Sequence, residues 1–358
     1  MSAHEILIGI MAVFAVIGGL DRIFGNRLGF GQEFENGILA MGSLALAMVG
    51  IIALSPVLAA ILRPVIVPVY RFLGADPAMF AGTILACDMG GGSLAMQLTP
   101  NRDAALLGGV ITGSMLGATV VFTIPVAMGI LNPEDRPALA KGILCGVVTV
   151  PVGILVGGLT AGLSLGMVAR NLLPILLLGA LIALGLWKAE KAMIRGFSAF
   201  GKGITALITV GLGAAIFEEL TGIVLIPGME SLSAGFETVG AIAIVLAGAF
   251  PLVRLLTRAL RKPLEKLGHL LGINDAAAAG LVATLANSIA TFGLVKDMDD
   301  RGKVVNIAFA VSAAFVFGDH LGFTAGFAPE MLPAMSAGKL AGGAAAVAVA
   351  LLLTKKTS

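Results

Sequence analysis

Asp88 is the first residue in this chain whose type and setting could do chemistry. It stands in Cys87-Asp88-Met89-Gly90-Gly91-Gly92, inside a stretch of apolar and small residues. A carboxylate at the centre of a membrane helix costs roughly 2.5 to 3.5 kcal/mol on insertion scales, so it should face a cavity or a partner. The glycines that follow, Gly90, Gly91 and Gly92, each weaken a helix by up to ~1 kcal/mol, which suits a broken helix whose freed backbone lines that cavity. The bland alternative is a structural acid, paired with a buried arginine or capping a half-helix.

Two further groups have the same character. Thr284-Leu285-Ala286-Asn287-Ser288 puts an amide and a hydroxyl in an apolar run, where Asn287 and Ser288 could bind a small polar solute. They could equally bond across helices, a contribution of only about 0.6 kcal/mol on average in membranes. Phe317-Gly318-Asp319-His320-Leu321-Gly322-Phe323 sets an acid and an imidazole at the end of another run. Asp319 and His320 read as a proton-handling pair or part of a cation site, against an ordinary interfacial Asp. Glu33 and Glu35 precede an apolar span and form either an entrance or a helix cap. Arg63 and Arg71 either pair with buried acids or snorkel.

No metal or cofactor is expected. The three histidines show no His-Glu-x-x-His pattern, His4 and His269 read as surface residues, and Cys87 and Cys145 as small packing residues.

The elements that must hold these residues are transmembrane helices. The chain has 358 residues, 58% apolar and 12% charged, with mean hydropathy +1.02, whereas globular domains average about 25% charged. Uncharged runs recur at Asn36–Leu62, Ala104–Leu131, Gly142–Ala169, Gly203–Phe217, Ala276–Val295 and Leu340–Thr354. Several exceed the ~20 residues that cross a bilayer core. Hydropathy and punctuation give spans near 6–24, 36–54, 79–98, 104–131, 138–163, 171–187, 201–218, 236–253, 275–295, 304–318 and 332–353. Pro56–Phe72 and Arg254–Leu271 are ambiguous, so the expectation is an all-α polytopic bundle of about 11–13 segments with broken helices. The 49 glycines, with the ladder Gly109, Gly113, Gly117, point to helices packed through small residues.

A single membrane domain over 1–358 follows, with a repeat. An offset of about 198 residues pairs Leu62-Arg63 with Leu260-Arg261, Leu73-Gly74 with Leu271-Gly272, and Ala81-Gly82 with Ala279-Gly280, giving halves 1–187 and 201–353. Such duplication is common in secondary transporters, with the solute site between the halves. A net charge of +2 with no basic patch excludes nucleic acid as a partner. Met1–Glu5 lacks the basic start of a removable signal peptide.

The stretches Phe34-Glu35-Asn36-Gly37, Met79-Phe80-Ala81-Gly82-Thr83, Leu85-Ala86-Cys87-Asp88-Met89-Gly90-Gly91, Val282-Ala283-Thr284-Leu285-Ala286-Asn287 and Gly318-Asp319-His320-Leu321-Gly322-Phe323 are those through which the chain resembles the ethanolamine utilisation permease family. The resemblance runs over nearly the whole chain. It departs at Ser288 and Ala290, where the family commonly has Asn and Pro, and at Gly92, where it commonly has an aromatic.

The resemblance implies uptake of ethanolamine by a multi-pass protein of the bacterial inner membrane, with membrane lipid as partner and a homo-oligomer as a possible state. Residue chemistry then suggests Asp88 for the ammonium, Asn287 or Ser288 for the hydroxyl and Asp319 as a further ligand, with phenylalanines adding cation–π contact. His320 and Glu35 would serve coupling or gating. The competing classes are a channel-like facilitator of another small amine or cation and an enzyme acting on a lipid head group, which lacks a nucleophile or metal constellation.

Overall fold

The computed structural model describes residues 2–355, and every regular element among them is helical. The side chain of His269, expected at the surface, lies outside the described residues. In hydrocarbon each backbone N–H and C=O must be satisfied within its own segment, which leaves an apolar chain the helix as its element.

Helix α1 (Ala3–Ile23) leads into α2 (Phe30–Phe72). At 1.5 Å per residue the 43-residue α2 extends about 64 Å, roughly twice the hydrocarbon core. Pro56–Phe72 therefore continues α2 and is not a crossing of its own. The third helix (α3, Ala78–Ile84) stops at Leu85, and α4 (Gly92–Leu98) resumes after a wide turn over Cys87–Gly91. Arg63 donates to the carbonyl of Gln97 near the end of α4. A buried column follows: α5 (Arg102–Leu106) passes through π-type turns at Leu107–Gly117 and Thr119–Thr123 into α6 (Ile124–Ile130).

The span expected at 138–163 is two helices, α7 (Arg136–Val147) and α8 (Val150–Thr160), parted where Thr149 Oγ1 donates to the Gly146 carbonyl at 2.8 Å. The long α9 (Leu165–Thr221) is non-helical at Ala189 (φ −143°, ψ 42°), so its apolar stretches form two arms meeting beside Lys188 and Lys191. Helix α10 (Leu232–Leu271) runs through Arg254–Leu271 without a break and lies along α2. A second interrupted helix follows, α11 (Asp275–Ala286) and α12 (Ser288–Leu294), then α13 (Asp300–Ala313), α14 (Asp319–Phe327) and α15 (Leu332–Leu353).

Among the described residues seven helical stretches are long and apolar enough to cross a membrane: His4–Ile23, Phe30–Phe72, Arg102–Ile130, Pro133–Thr160, Leu165–Thr221, Leu232–Ala259 and Pro329–Leu353. The remaining apolar segments are the short halves of interrupted helices. Arg102–Ile130 is almost wholly buried, while His4–Ile23 turns most of its surface outward, as a lipid-facing helix must.

Glycine makes the centre close enough to hold these breaks. A Cβ on Gly117 would lie 1.9 Å from the Leu85 carbonyl oxygen, and one on Gly82 equally close to that of Gly108, so α3 rests backbone to backbone on the buried column. On the other side Gly153 and Gly157 of α8 abut Gly338 and Gly342 of α15. At one end the buried Asp135 carboxylate accepts from Lys303 Nζ at 2.7 Å, tying the start of α7 to α13.

Gly117→Val should destabilise the purified protein by about 1 to 3 kcal/mol, the usual cost of overpacking, seen as a lower melting temperature in detergent. Gly129→Ala, whose Cβ would meet nothing within 4 Å, should melt as the parent does.

Candidate functional site

The first helix break is written in its dihedrals. Leu85 and Ala86 are extended, Met89 is off-helix at φ −106°, and Gly90 takes φ +91°, a left-handed value that a side chain would oppose. A Cβ there would also press 2.4 Å from Ile51. The Ala86 carbonyl accepts from the N–H groups of Met89 (3.0 Å) and Gly91 (2.9 Å), so the turn satisfies part of its own backbone. Asp88 sits inside this turn, its side chain 15% exposed.

A different device brings up the second acid. After α13 the chain leaves the helix at Ala314, and Phe315 takes φ +63°, costly for a bulky residue and a mark of functional sites. The N–H groups of Phe315 and Phe317 donate to the Thr284 and Leu285 carbonyls at 3.2 and 2.9 Å, lashing the loop to α11. Gly318 permits this approach, since a Cβ there would lie 2.2 Å from the Ala286 oxygen. The loop delivers Asp319 and His320 to the first turn of α14, where helix N–H groups favour an acid.

These parts enclose a cavity of about 160 Å³ lined by Ser43, Asp88, Phe122, Phe315, Asp319 and His320, with Leu44, Ala47, Ala86, Met89 and Ala118. Drug-sized ligands occupy roughly 300 Å³ or more, so only a small solute fits. His320 Nε2 lies 3.7 Å from Asp88 Oδ1, and its Nδ1 is buried without a partner. The Phe315 ring stands 5.2 Å from the imidazole and meets Phe122 edge-on at 5.5 Å. One end of the chamber is thus carboxylate-rich and one wall aromatic, an arrangement suited to a small organic cation.

Asp319 also lines a second, more open cavity of about 470 Å³, with Glu33, Phe250, Arg254, Arg258, Asn287 and Phe317 among its walls. Glu33 and Arg254 pair across it at 2.9 Å. Asp319 is therefore common to an inner chamber and an outer vestibule.

Of the residues singled out in the sequence, Asp88, Asp319 and His320 meet in the chamber. Asn287 lines only the vestibule, and its Oδ1 accepts from the Ile289 N–H at 2.7 Å to cap α12. Ser288 is fully buried with an unpartnered hydroxyl and lines neither space. Glu35 pairs with Arg22 at 3.2 Å on the exposed surface. Its neighbour Glu33 is the one that reaches the vestibule. Gly90 and Gly91 lie in the wide turn, while Gly92 begins α4 facing Phe323 and Phe327.

Sequence reasoning missed Lys339. It is fully buried within α15, and its Nζ donates to the Ser114 carbonyl. The signal was present, a lone cation several residues inside an apolar span, the same pattern that marked Asp88. Cys87, read as packing alone, stands with Asp88 and His320 in a cluster whose donor atoms all lie within 4.8 Å of one another. Both cysteines are free and buried.

Comparison with known proteins gives one consistent picture. The family described as "Ethanolamine utilisation protein, EutH" matches residues 3–353. A Listeria monocytogenes protein named "Probable ethanolamine permease EutH" is 57% identical over 99% of this chain and 95% of its own length. Its Salmonella typhimurium namesake is 48% identical over 99% of this chain and 97% of its own. A Bacillus subtilis relative, "Uncharacterized protein YxeR", is 51% identical over 100% of this chain and 97% of its own. No solved structure matches.

Because Cys87 and Cys145 are buried, the parent should react little with a polar maleimide in detergent. Asn287→Cys, on the vestibule wall, should be labelled readily, and Ser288→Cys, one residue on, should be protected.

Proposed function

The chain belongs to the EutH family of ethanolamine utilisation proteins, and on that premise we propose that it is a permease that carries ethanolamine across the bacterial cytoplasmic membrane. The observation that carries the reading is the small chamber between the two helix interruptions, with Asp88 and Asp319 on its wall and Phe122 and Phe315 beside them. Two carboxylates on the chamber wall favour a solute that carries a positive charge. Ethanolamine, largely an ammonium at neutral pH, brings that charge. Its hydroxyl can reach Ser43 or His320, and the rings can add cation–π attraction of roughly 0.5 to 2 kcal/mol.

The path runs from the vestibule past the Glu33–Arg254 pair to Asp319, then to Asp88. Asn287 serves it by holding the start of α12 in place and by lining the approach. Glu35 sits at the surface beside this path, paired with Arg22, and its part in gating is to hold the α1–α2 corner. The chamber as a transport site also favours a carrier over an enzyme acting on lipid head groups, since it is too small to admit an acyl-bearing substrate.

Alternating exposure would come from two halves, 1–187 and 201–353. Supporting this, long α2 and α10 begin at Phe30 and Leu232, interrupted helices follow at Ala78 and Asp275, and the next helices start at Arg102 and Asp300. Each pair is separated by close to the 198 residues of the sequence offset. Lipid surrounds the outward apolar faces of α1 and α9, and a homo-oligomer would bury part of them.

Labelled ethanolamine should enter proteoliposomes saturably, tested with and without proton and sodium gradients; no uptake by correctly inserted protein would end this reading. Asp88→Asn should abolish saturable uptake while the protein remains folded, and wild-type kinetics in that variant would make Asp88 structural. Phe315→Leu should raise KM about 2- to 30-fold, the range that 0.5 to 2 kcal/mol of lost cation–π contact implies.

A further inference from the structure

The long helices α2 and α10 lie side by side and run in opposite directions. Glu33 at the start of α2 pairs with Arg254, whereas farther along α2 the Ala53 carbonyl accepts from the Glu230 N–H, just before α10, at 2.9 Å. Their contact is made twice. A Cβ on Gly37 would press on the backbone of Leu246 and Ala247, and one on Gly235 would press on Val49. Gly37 and Gly235 are 198 positions apart, and so are Val49 and Ala247, so each half offers the other the same contact. Within the halves, Gly82 abuts the Gly108 carbonyl and Gly280 abuts the Asn306 side chain, both members again displaced by 198. Equivalent helices that run antiparallel belong to an inverted repeat, with its two-fold axis in the plane of the membrane.

Charge gives the sense of the bilayer. No Lys or Arg occurs from Gly203 to Val253, whereas Arg254, Arg258, Lys262 and Lys266 follow within α10. Basic residues beside a span face the cytoplasm, so the vestibule, with Arg254 and Arg258 on its wall, opens to the cytoplasmic side.

An inverted repeat gives a passage on one face its counterpart on the other. Phe250, Val253, Thr257, Asn287 and Asp319 of the vestibule correspond to Ile52, Ser55, Ala59, Met89 and Val121. These counterparts are shut: Ile52, Ser55, Ala59 and Val121 are buried, and Ala59 and Val121 share an apolar cluster with Ile51 and Ile208, against which Met89 packs. The two acids are then allotted one to each side. Asp319 lines chamber and vestibule, while Asp88, equivalent to the vestibule's Ala286, lines the chamber at the inner end of the shut passage.

We propose that the seam formed by Ile52, Ser55, Ala59, Met89 and Val121 is the external entrance for the ammonium solute, opening onto Asp88 as the cytoplasmic vestibule closes. The inference rests on the permease reading above.

The test is sided labelling of the full chain in its membrane. Ser55 donates within its own helix, to the Ile51 carbonyl at 2.7 Å, so a thiol replaces the hydroxyl with little disturbance. On intact cells a membrane-impermeant maleimide should label Ser55→Cys, and Ala59→Cys one turn on, from outside. Asn287→Cys should be labelled only in inside-out vesicles. No external labelling of either α2 variant in folded, inserted protein would overturn the proposal, as would labelling of Ser55→Cys from the cytoplasmic face alone.

A double variant, Ser55→Cys with Asn287→Cys, tests the alternation. Saturating position 287 with a bulky maleimide in inside-out vesicles should hold the vestibule open. Labelling at position 55, measured after detergent exposes both faces, should then slow by at least about fivefold, the lower end of coupling between linked sites. An unchanged rate would mean that the two ends open independently and would equally overturn the proposal. Absence of ethanolamine uptake would instead strike the permease reading, since the labelling needs no solute and still decides where the external entrance lies.

Discussion

The bilayer forbids unpaired backbone, and the structure depends on how the chain breaks two helices in spite of that rule. Between α3 and α4 the Ala86 carbonyl takes two N–H groups of the turn itself. Between α11 and α12 the Asn287 side chain caps the second half, while the Phe315–Phe317 loop takes up carbonyls at the end of the first. An interruption satisfied in this way is tolerated at membrane depth only where protein or a cavity surrounds it. The chamber at Asp88 and the vestibule at Asn287 are those surroundings.

Small residues make such satisfaction geometrically available. Gly82 and Gly117 let α3 lie on the buried column closely enough that carbonyls of one segment meet the backbone of the next. Gly153, Gly157, Gly338 and Gly342 do the same for α8 and α15, and through them Lys339 is aimed inward. Since lipid gives no hydrophobic drive between helices, this packing is the main source of cohesion. The same glycines that join the bundle therefore orient its charges.

Charge is arranged in depth. The Glu33–Arg254 pair lies in the vestibule, partly exposed, where water screens it and its net strength is modest. Asp319 stands at the boundary, and Asp88 and His320 lie beyond it among buried apolar side chains. Each step inward raises the cost of an unpaired charge, so the inner groups lie near one another. Phe315, held at positive φ by its hydrogen bond to α11, puts an aromatic wall where that cost is greatest.

The sequence alone determined that this is a helical membrane protein, because an apolar chain with long uncharged runs has few other ways to satisfy its backbone in lipid. It also marked Asp88 with its glycines, Asp319 and His320, since an acid or imidazole in an apolar run is costly wherever the chain goes. Helix ends were less legible. Pro56 and Arg254 read as the starts of separate stretches, yet α2 and α10 pass through them, because a helix end is set by backbone pairing that hydropathy does not record. Tertiary structure alone decided that Asn287 caps a half-helix in a vestibule, that Ser288 is sealed from both cavities and that Glu33, not Glu35, lines the vestibule. It alone brought His320 to Asp88 across 232 residues of chain. Such meetings are set by which helix faces touch, and that depends on glycine contacts between segments far apart in sequence, to which local periodicity is blind.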